Sequence, residues 1–217
     1  MLHNLPKQYL SLDGIPLLAR TLITFEKTPS VGRIVLVAPR GDRDYVRDEI
    51  VDKHRILKAQ QIQAGGKTRQ DSVRRGLEMV DDGDDVVVVH DGVRPFVSHE
   101  LIDLCIREAA EKGAVVPVVH FKDTVKIVDQ DGIIRDTLDR AHLRLAQTPQ
   151  AFRRKIILEA YESAYREGFY GTDDASLVER MGTPVTTIPG LPYNIKITTP
   201  EDLALGEFLL KRSESAI

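Results

Sequence analysis

The sequence predicts an α/β fold: a doubly wound, mostly parallel sheet from which a β-hairpin arm projects. Three observations predict it. Short β-branched runs recur along the chain, and they are apolar on both faces, the pattern of parallel strands covered by helices. Amphipathic stretches separate the runs, and strand–helix–strand repeated in this way builds a doubly wound sheet. One later stretch breaks the rhythm with strict period-two alternation, which marks an exposed hairpin.

Taken in order, Arg33-Ile34-Val35-Leu36-Val37-Ala38-Pro39 reads as the first buried strand. Val73, Leu77 and Val80 follow at i, i+4 and i+7 and predict a helix. Val86 to Val89 is a second buried strand, and Ala114 to Val119 a third. Between them Ser98 caps a helix, Ile102, Cys105 and Ala109 form its inward stripe, and Gly113 stops it. Thr124 to Val128 alternates, Asp129-Gln130-Asp131-Gly132 turns the chain, and Ile133 to Leu138 returns. A hairpin projecting from a parallel sheet buries itself poorly, so residues 121–144 are expected to clasp a second subunit. Helices are predicted from about Arg153 to Glu167 and from Asp174 to Arg180. Thr199-Pro200-Glu201-Asp202 opens the last one with a cap, a first-turn proline and acidic residues. No repeat or linker interrupts the chain, so 1–217 reads as one domain carrying an arm.

Composition narrows the function. The chain has 217 residues, 42% of them hydrophobic and 29% charged, ordinary globular values. Thirty basic against thirty-three acidic residues leave a net charge of -3, which argues against a nucleic-acid partner. The single cysteine, Cys105, excludes an internal disulfide and any multi-cysteine metal site. No apolar run approaches the length of a membrane span, and the start MLHNLPKQYL lacks the pattern of a signal peptide. The expectation is a soluble, cytoplasmic protein without a membrane partner.

Several segments carry chemistry. Gly65-Gly66-Lys67-Thr68 is not a P-loop, because Gln61 stands where that motif needs its first glycine. Two glycines with Lys67, Arg69 and Ser72 before a helix still suit an anion or a base edge, although a plain turn fits the spacing equally. His90-Asp91-Gly92-Val93-Arg94-Pro95 is sharper. Asp91 follows a central strand, where open α/β sheets bind ligands, and a carboxylate there can hold Mg²⁺. Gly92 lets a ligand approach the backbone, and Arg94 either forks onto a phosphate or pairs with Asp91. Lys196 stands in a predicted short strand, 194–198, where a surface lysine is the plainer reading. The six histidines show no metal spacing, and His90 reads as a core histidine. No G-x-S-x-G elbow accompanies Cys105, whose helical position reads as core.

Five segments in order resemble one family: Pro6-Lys7-Gln8-Tyr9-Leu10, Gly66-x-x-Arg69-x-x-Ser72-Val73, His90-Asp91-x-x-Arg94-Pro95-Phe96, Thr148-Pro149-Gln150-x-Phe152, and Asn194-Ile195-Lys196-x-Thr198-x-Pro200-Glu201-Asp202. Together they are similar to 2-C-methyl-D-erythritol 4-phosphate cytidylyltransferases of the non-mevalonate isoprenoid pathway. The resemblance implies a Rossmann-like nucleotidyltransferase fold, a homodimer, CTP with Mg²⁺, and attack of the acceptor phosphate on the α-phosphorus of CTP. It implies catalytic roles for Lys7, Arg140 and Lys196, and Mg²⁺ on Asp91. Gly66, Lys67 and Ser72 would line the cytosine and ribose pocket, although relatives often carry an acidic residue at position 67. Asp91, Gly92 and Arg94 would border the sugar-phosphate site, and Thr172 would touch the methylerythritol moiety. Thr124 and Arg140 would reach from the arm into the partner's site.

The resemblance also implies a strand and a glycine-rich loop ahead of Lys7. Met1 stands about where that loop's methionine falls, so the natural protein is expected to run about twenty residues further upstream, one strand plus a turn. Without that strand two others lack a ladder neighbour. The rival readings are a ribitol 5-phosphate cytidylyltransferase, disfavoured by Asp139-Arg140, and a catalytically impaired nucleotide-binding homologue. A dinucleotide-dependent oxidoreductase is disfavoured because no strand is followed by G-x-G-x-x-G.

Overall fold

The computed structural model describes residues 6–214; Met1, and the expectation attached to it, lie outside the described residues. After a helical turn at Lys7–Tyr9 the chain makes a small hairpin, β1 (Ser11–Leu12) and β2 (Ile15–Pro16), and enters α1 (Leu17–Lys27). β3 (Val35–Ala38) leads through α2 (Arg43–Tyr45) and a wider, π-helical segment at Val46–Asp52 to β4 (Gln61–Ala64), which pairs parallel with β3. This pair, α1 and the helical segment share one core, with Leu18, Ala19, Leu22, Leu36, Val46 and Ile50 buried in it.

The larger sheet carries the site. α3 (Arg69–Leu77) precedes β5 (Val86–Val89), and α4 (His99–Lys112) precedes β6 (Ala114–His120). The α4 boundaries follow from the sequence as expected. The Ser98 side chain accepts from the Leu101 N–H, and Gly113 ends the helix at φ +94°, a left-handed conformation that glycine adopts without steric cost. β7 (Val125–Val128) and β8 (Ile134–Leu138) pair antiparallel with each other as the arm. Its tip is tied by Asp129, whose Oδ1 accepts from the Asp131 and Ile133 N–H groups. The chain returns through β9 (Arg144–Ala146) and β10 (Gln150–Arg153), then α5 (Arg154–Arg166), α6 (Asp174–Arg180), β11 (Thr186–Pro189) and α7 (Pro200–Glu214).

The strand order is β11-β6-β10-β5, with β9 also on β6. The expectation of a mostly parallel sheet is corrected here. β10 lies between β5 and β6 and runs antiparallel to both, β9 runs antiparallel to β6, and only β11–β6 and β3–β4 are parallel. The reason is the arm. It reverses the chain after β6 without the helical crossover that a parallel return requires. Both faces are nonetheless covered, as the doubly wound reading requires. Phe152, Ala114 and Val116 face α5 and α6, while Ala151 and Val115 face the Ile102–Cys105–Ala109 stripe of α4. Alternate residues of each strand thus enter opposite cores. Among the described strands β5 pairs only with β10 and β3 only with β4, so each has one edge without a ladder partner.

Candidate active site

Two loops and the 194–198 segment meet around Asp91. The first loop joins β4 to α3. The Gly65 N–H donates to the Ala38 carbonyl at 2.7 Å, and Arg75 donates back to the Gly65 carbonyl at 2.7 Å, which pins the glycine pair beneath the helix. The Gly66 N–H donates to Ser72 Oγ at 3.0 Å. Thr68 and Asp71 form a reciprocal capping box, which satisfies the Asp71 N–H in the first turn of α3 and the Thr68 N–H just before it. An open cleft of about 380 Å³ lies beside this loop, lined by Val37, Ala38, Pro39, Arg40, Gly65, Gly66 and Ser72. That is within the size range of small-molecule sites. Gly66 and Ser72 are therefore together, as expected; Lys67 is exposed beside them and donates to neither.

Asp91 stands just beyond the end of β5, and its backbone N–H donates to Thr148 Oγ1 at 3.1 Å. Its carboxylate meets three cations. Arg69 Nε donates to Oδ1 at 3.2 Å, Lys196 Nζ lies 3.0 Å from Oδ2, and Arg94 Nε lies 3.5 Å from the same oxygen. Burial pushes this carboxyl up, but Arg69 and Lys196 beside it pull it down further, so it titrates below the usual carboxylate range. Burial pulls the Arg94 guanidinium down, with Asp91 opposing. Arg94 also donates to the Asn194 carbonyl at 2.8 Å, which fixes the segment that carries Lys196. Of the two readings of Arg94, the pairing with Asp91 is the one present in this structure.

Lys196 does not stand in a strand. Residues 194–198 lie in no ladder and are held instead by the Ile197 N–H on the Val93 carbonyl at 2.9 Å and by fully buried Asn194 donating to the Thr148 carbonyl. The Asn194-Ile195-Lys196-Ile197 alternation mimics a strand, while its actual partners are loop carbonyls. Gly92 packs closely against α1. A Cβ there would lie 2.8 Å from the Leu18 side chain of α1, and its carbonyl accepts from Thr21. His90 fills the core role expected of it, with Nδ1 by Thr148 Oγ1 and Nε2 by the Arg94 carbonyl, and burial drives its titration down to about 4.

The remaining expected residues do not touch the Asp91 cluster within this chain. Lys7 is exposed on its helical turn, which Tyr9 anchors through a 2.9 Å hydrogen bond to Asp42. Thr172 is exposed just ahead of α6. Thr124 is exposed at the base of the arm, and Arg140, just past β8, donates to the Lys122 carbonyl at 2.7 Å. Sequence reasoning left out Asp174, which receives the second arm of Arg69, and Thr148. Asp174 sits in the Gly171-Thr172-Asp173-Asp174 run beside an expected site residue, and that adjacency was the available signal.

The chain matches the model of the IspD family, 2-C-methyl-D-erythritol 4-phosphate cytidylyltransferase, over residues 1–212. It belongs to this family. It is 50% identical over 212 residues to the 2-C-methyl-D-erythritol 4-phosphate cytidylyltransferase of Syntrophus aciditrophicus, covering 98% of this chain and 91% of that one. A crystal structure of 4-diphosphocytidyl-2C-methyl-D-erythritol synthase from Anaerococcus prevotii superposes with a TM-score of 0.86 at 34% identity, covering 95% of this chain and 91% of that one. The enzyme of the same function from Thermus thermophilus gives 0.82 at 35% identity, covering 95% and 94%. The α/β architecture is thus that of the cytidylyltransferases.

Proposed function

We propose that this enzyme transfers the cytidylyl group of CTP to 2-C-methyl-D-erythritol 4-phosphate. A phosphate oxygen of the acceptor forms a bond to the α-phosphorus of CTP, the bond to the β-phosphate bridging oxygen breaks, and pyrophosphate leaves. The observation that carries the reading is the Asp91 cluster. An ionised carboxylate with Arg69, Arg94 and Lys196 around it sits at the end of β5, and the cleft of Gly66 and Ser72 opens beside α3, the helix that carries Arg69. Phosphoryl-group transfer asks a protein mainly to position anions and neutralise charge, and this donor set suits that task.

The residues fit Mg²⁺. Mg²⁺ takes one or two carboxylates and completes its shell with water and substrate phosphates, and Asp91 is an ionised carboxylate with lone pairs beyond those its cations occupy. Bound there, the ion would supply charge neutralisation on the triphosphate. Lys196 is 42% exposed, so its ammonium is free to turn from Asp91 toward a phosphate. Lys7, exposed and with no ion-pair partner among the described residues, would meet the triphosphate. Gly66, Lys67 and Ser72 hold the nucleoside; Gly92 and Arg94 border the phosphates, and Thr172 meets the acceptor.

The arm is the dimer contact in this reading. Ile127, Val128, Ile133 and Ile134 are 45 to 57% exposed on it, an apolar surface that a second copy would cover. Thr124 and Arg140 would then serve the partner's acceptor site. The chain is read as one domain acting in the cytoplasm; among the described residues no helix is long and apolar enough to cross a membrane. Pyrophosphate release with CTP and Mg²⁺ tests the proposal, with methylerythritol phosphate and ribitol 5-phosphate offered in parallel. Release with the first alone is expected, and release with ribitol 5-phosphate alone would overturn it.

A further inference from the structure

Arg69 joins the two halves of the site. Its Nε donates to Asp91 Oδ1, and its Nη2 lies 2.8 Å from Oδ2 of Asp174, a carboxylate with no exposed surface at the first turn of α6. The other oxygen of Asp174 accepts from the buried Tyr161 hydroxyl. Burial pulls the Arg69 guanidinium down, but Asp174 and Asp91 more than offset this and hold it above its ordinary range. The next residue of α3 reaches the same way. Gln70 donates to the Phe169 carbonyl and accepts from the Gly171 N–H, both at 2.9 Å. The start of α3, which belongs to the nucleotide side, is thus tied to the 169–174 loop that presents Thr172.

We propose that Arg69 is a positioning residue: anchored on Asp174, its forked guanidinium sets the Asp91 carboxylate so that Oδ2 faces the reacting phosphates, and it locks the acceptor loop to the nucleotide loop. This rests on the reaction assigned above. Two carboxylates on different elements need two parallel N–H arms at fixed spacing, which guanidinium supplies and an ammonium does not. Asp174 cannot be replaced by solvent, since it is fully buried.

The test uses Arg69→Lys, Arg69→Ala, Asp174→Asn and the Arg69→Ala/Asp174→Asn double variant. Each single variant is expected to lose about 100-fold in kcat, the scale of a group misplaced by about 1 Å, with KM for CTP changed less than about threefold. The double variant should be no slower than the slower single, because both remove one link. Millimolar guanidinium should restore part of kcat to Arg69→Ala, and methylammonium should not. Multiplicative losses, full activity in Arg69→Lys, or a loss carried entirely by KM for CTP would overturn the proposal. So would losses that track a fall in melting temperature without guanidinium rescue. Amide hydrogen exchange over residues 169–174 reads the link without substrate and should accelerate in Arg69→Ala. Unchanged exchange overturns the link, whereas a wild-type enzyme that fails to turn over overturns the reaction assignment instead.

Discussion

Gly66→Ala tests whether the α3 loop is built as described. A Cβ at position 66 would lie 2.3 Å from Asp71 Cβ and 2.9 Å from the Asp71 carbonyl carbon. Ordinary carbon contacts are about 3.5–4.0 Å, so the loop and the helix must part by more than about 1 Å. The obstacle is helix backbone, with no flexible tip to give way. Parting them breaks the Thr68–Asp71 capping box and the Gly66–Ser72 hydrogen bond. Overpacking and a lost cap together cost about 3 kcal/mol, which in a chain of this size lowers the melting temperature by roughly 6–12 °C. KM for CTP should rise as well, because Ser72 moves with the helix. Gly92→Ala is the control: its Cβ would meet only the Leu18 Cδ1 tip, at 2.8 Å, and a rotamer change absorbs that for under about 1 kcal/mol. Calorimetry and steady-state kinetics on both variants decide the matter. A Gly66→Ala protein that melts with the wild type, or no earlier than Gly92→Ala, would refute the packing argument.

Lys7→Ala and Lys196→Ala are each expected to reduce turnover at least about 10²–10³-fold with the melting temperature unchanged, the scale of one displaced anion-stabilising donor; full activity in either removes its role. Cys105 is fully buried, and burial pushes its thiol up to about 12. A disulfide reagent at pH 8 should therefore label it only at the rate of unfolding, and immediate labelling would contradict its place in the core. Asp202 accepts the Thr198 and Thr199 N–H groups at the start of α7, which holds its carboxyl below the usual range. Its folded value lies below the unfolded one, so its contribution is complete above about pH 4 and is lost as pH falls through the folded value. Asp202→Asn should flatten the acid limb of the stability curve in that window, and an unchanged limb would count against the cap.

The helices of the second half were legible because their ends are written in side chains. Ser98 and Gly113 bound α4, the Asp174–Arg180 helix falls where its pattern predicts, and Thr199-Pro200 opens α7. β10 was hidden by its own chemistry. It begins with Gln150, a polar residue buried to 1% exposure whose amide holds Asp173 and the Ala175 N–H, so no apolar run announces it. That missing strand is why the sheet was expected to be mostly parallel. Asp91, Arg94 and Lys196 could be named from their motifs, and the Asp91–Arg94 pair could be read because the two stand one turn apart; the 3.0 Å contact of Lys196 with Asp91 could not, since it joins residues far apart in the chain. Arg69 was visible as a residue type at a helix start. What it binds, across 105 positions, is a property of the fold.

The most direct test of the central claim is a phosphorus NMR time course with the enzyme, CTP, Mg²⁺ and methylerythritol phosphate. The account predicts equal growth of pyrophosphate and of a new diphosphate diester, with the acceptor monoester signal falling in step. Loss of CTP to CMP and pyrophosphate with the monoester signal intact would contradict it, because water would then be the acceptor.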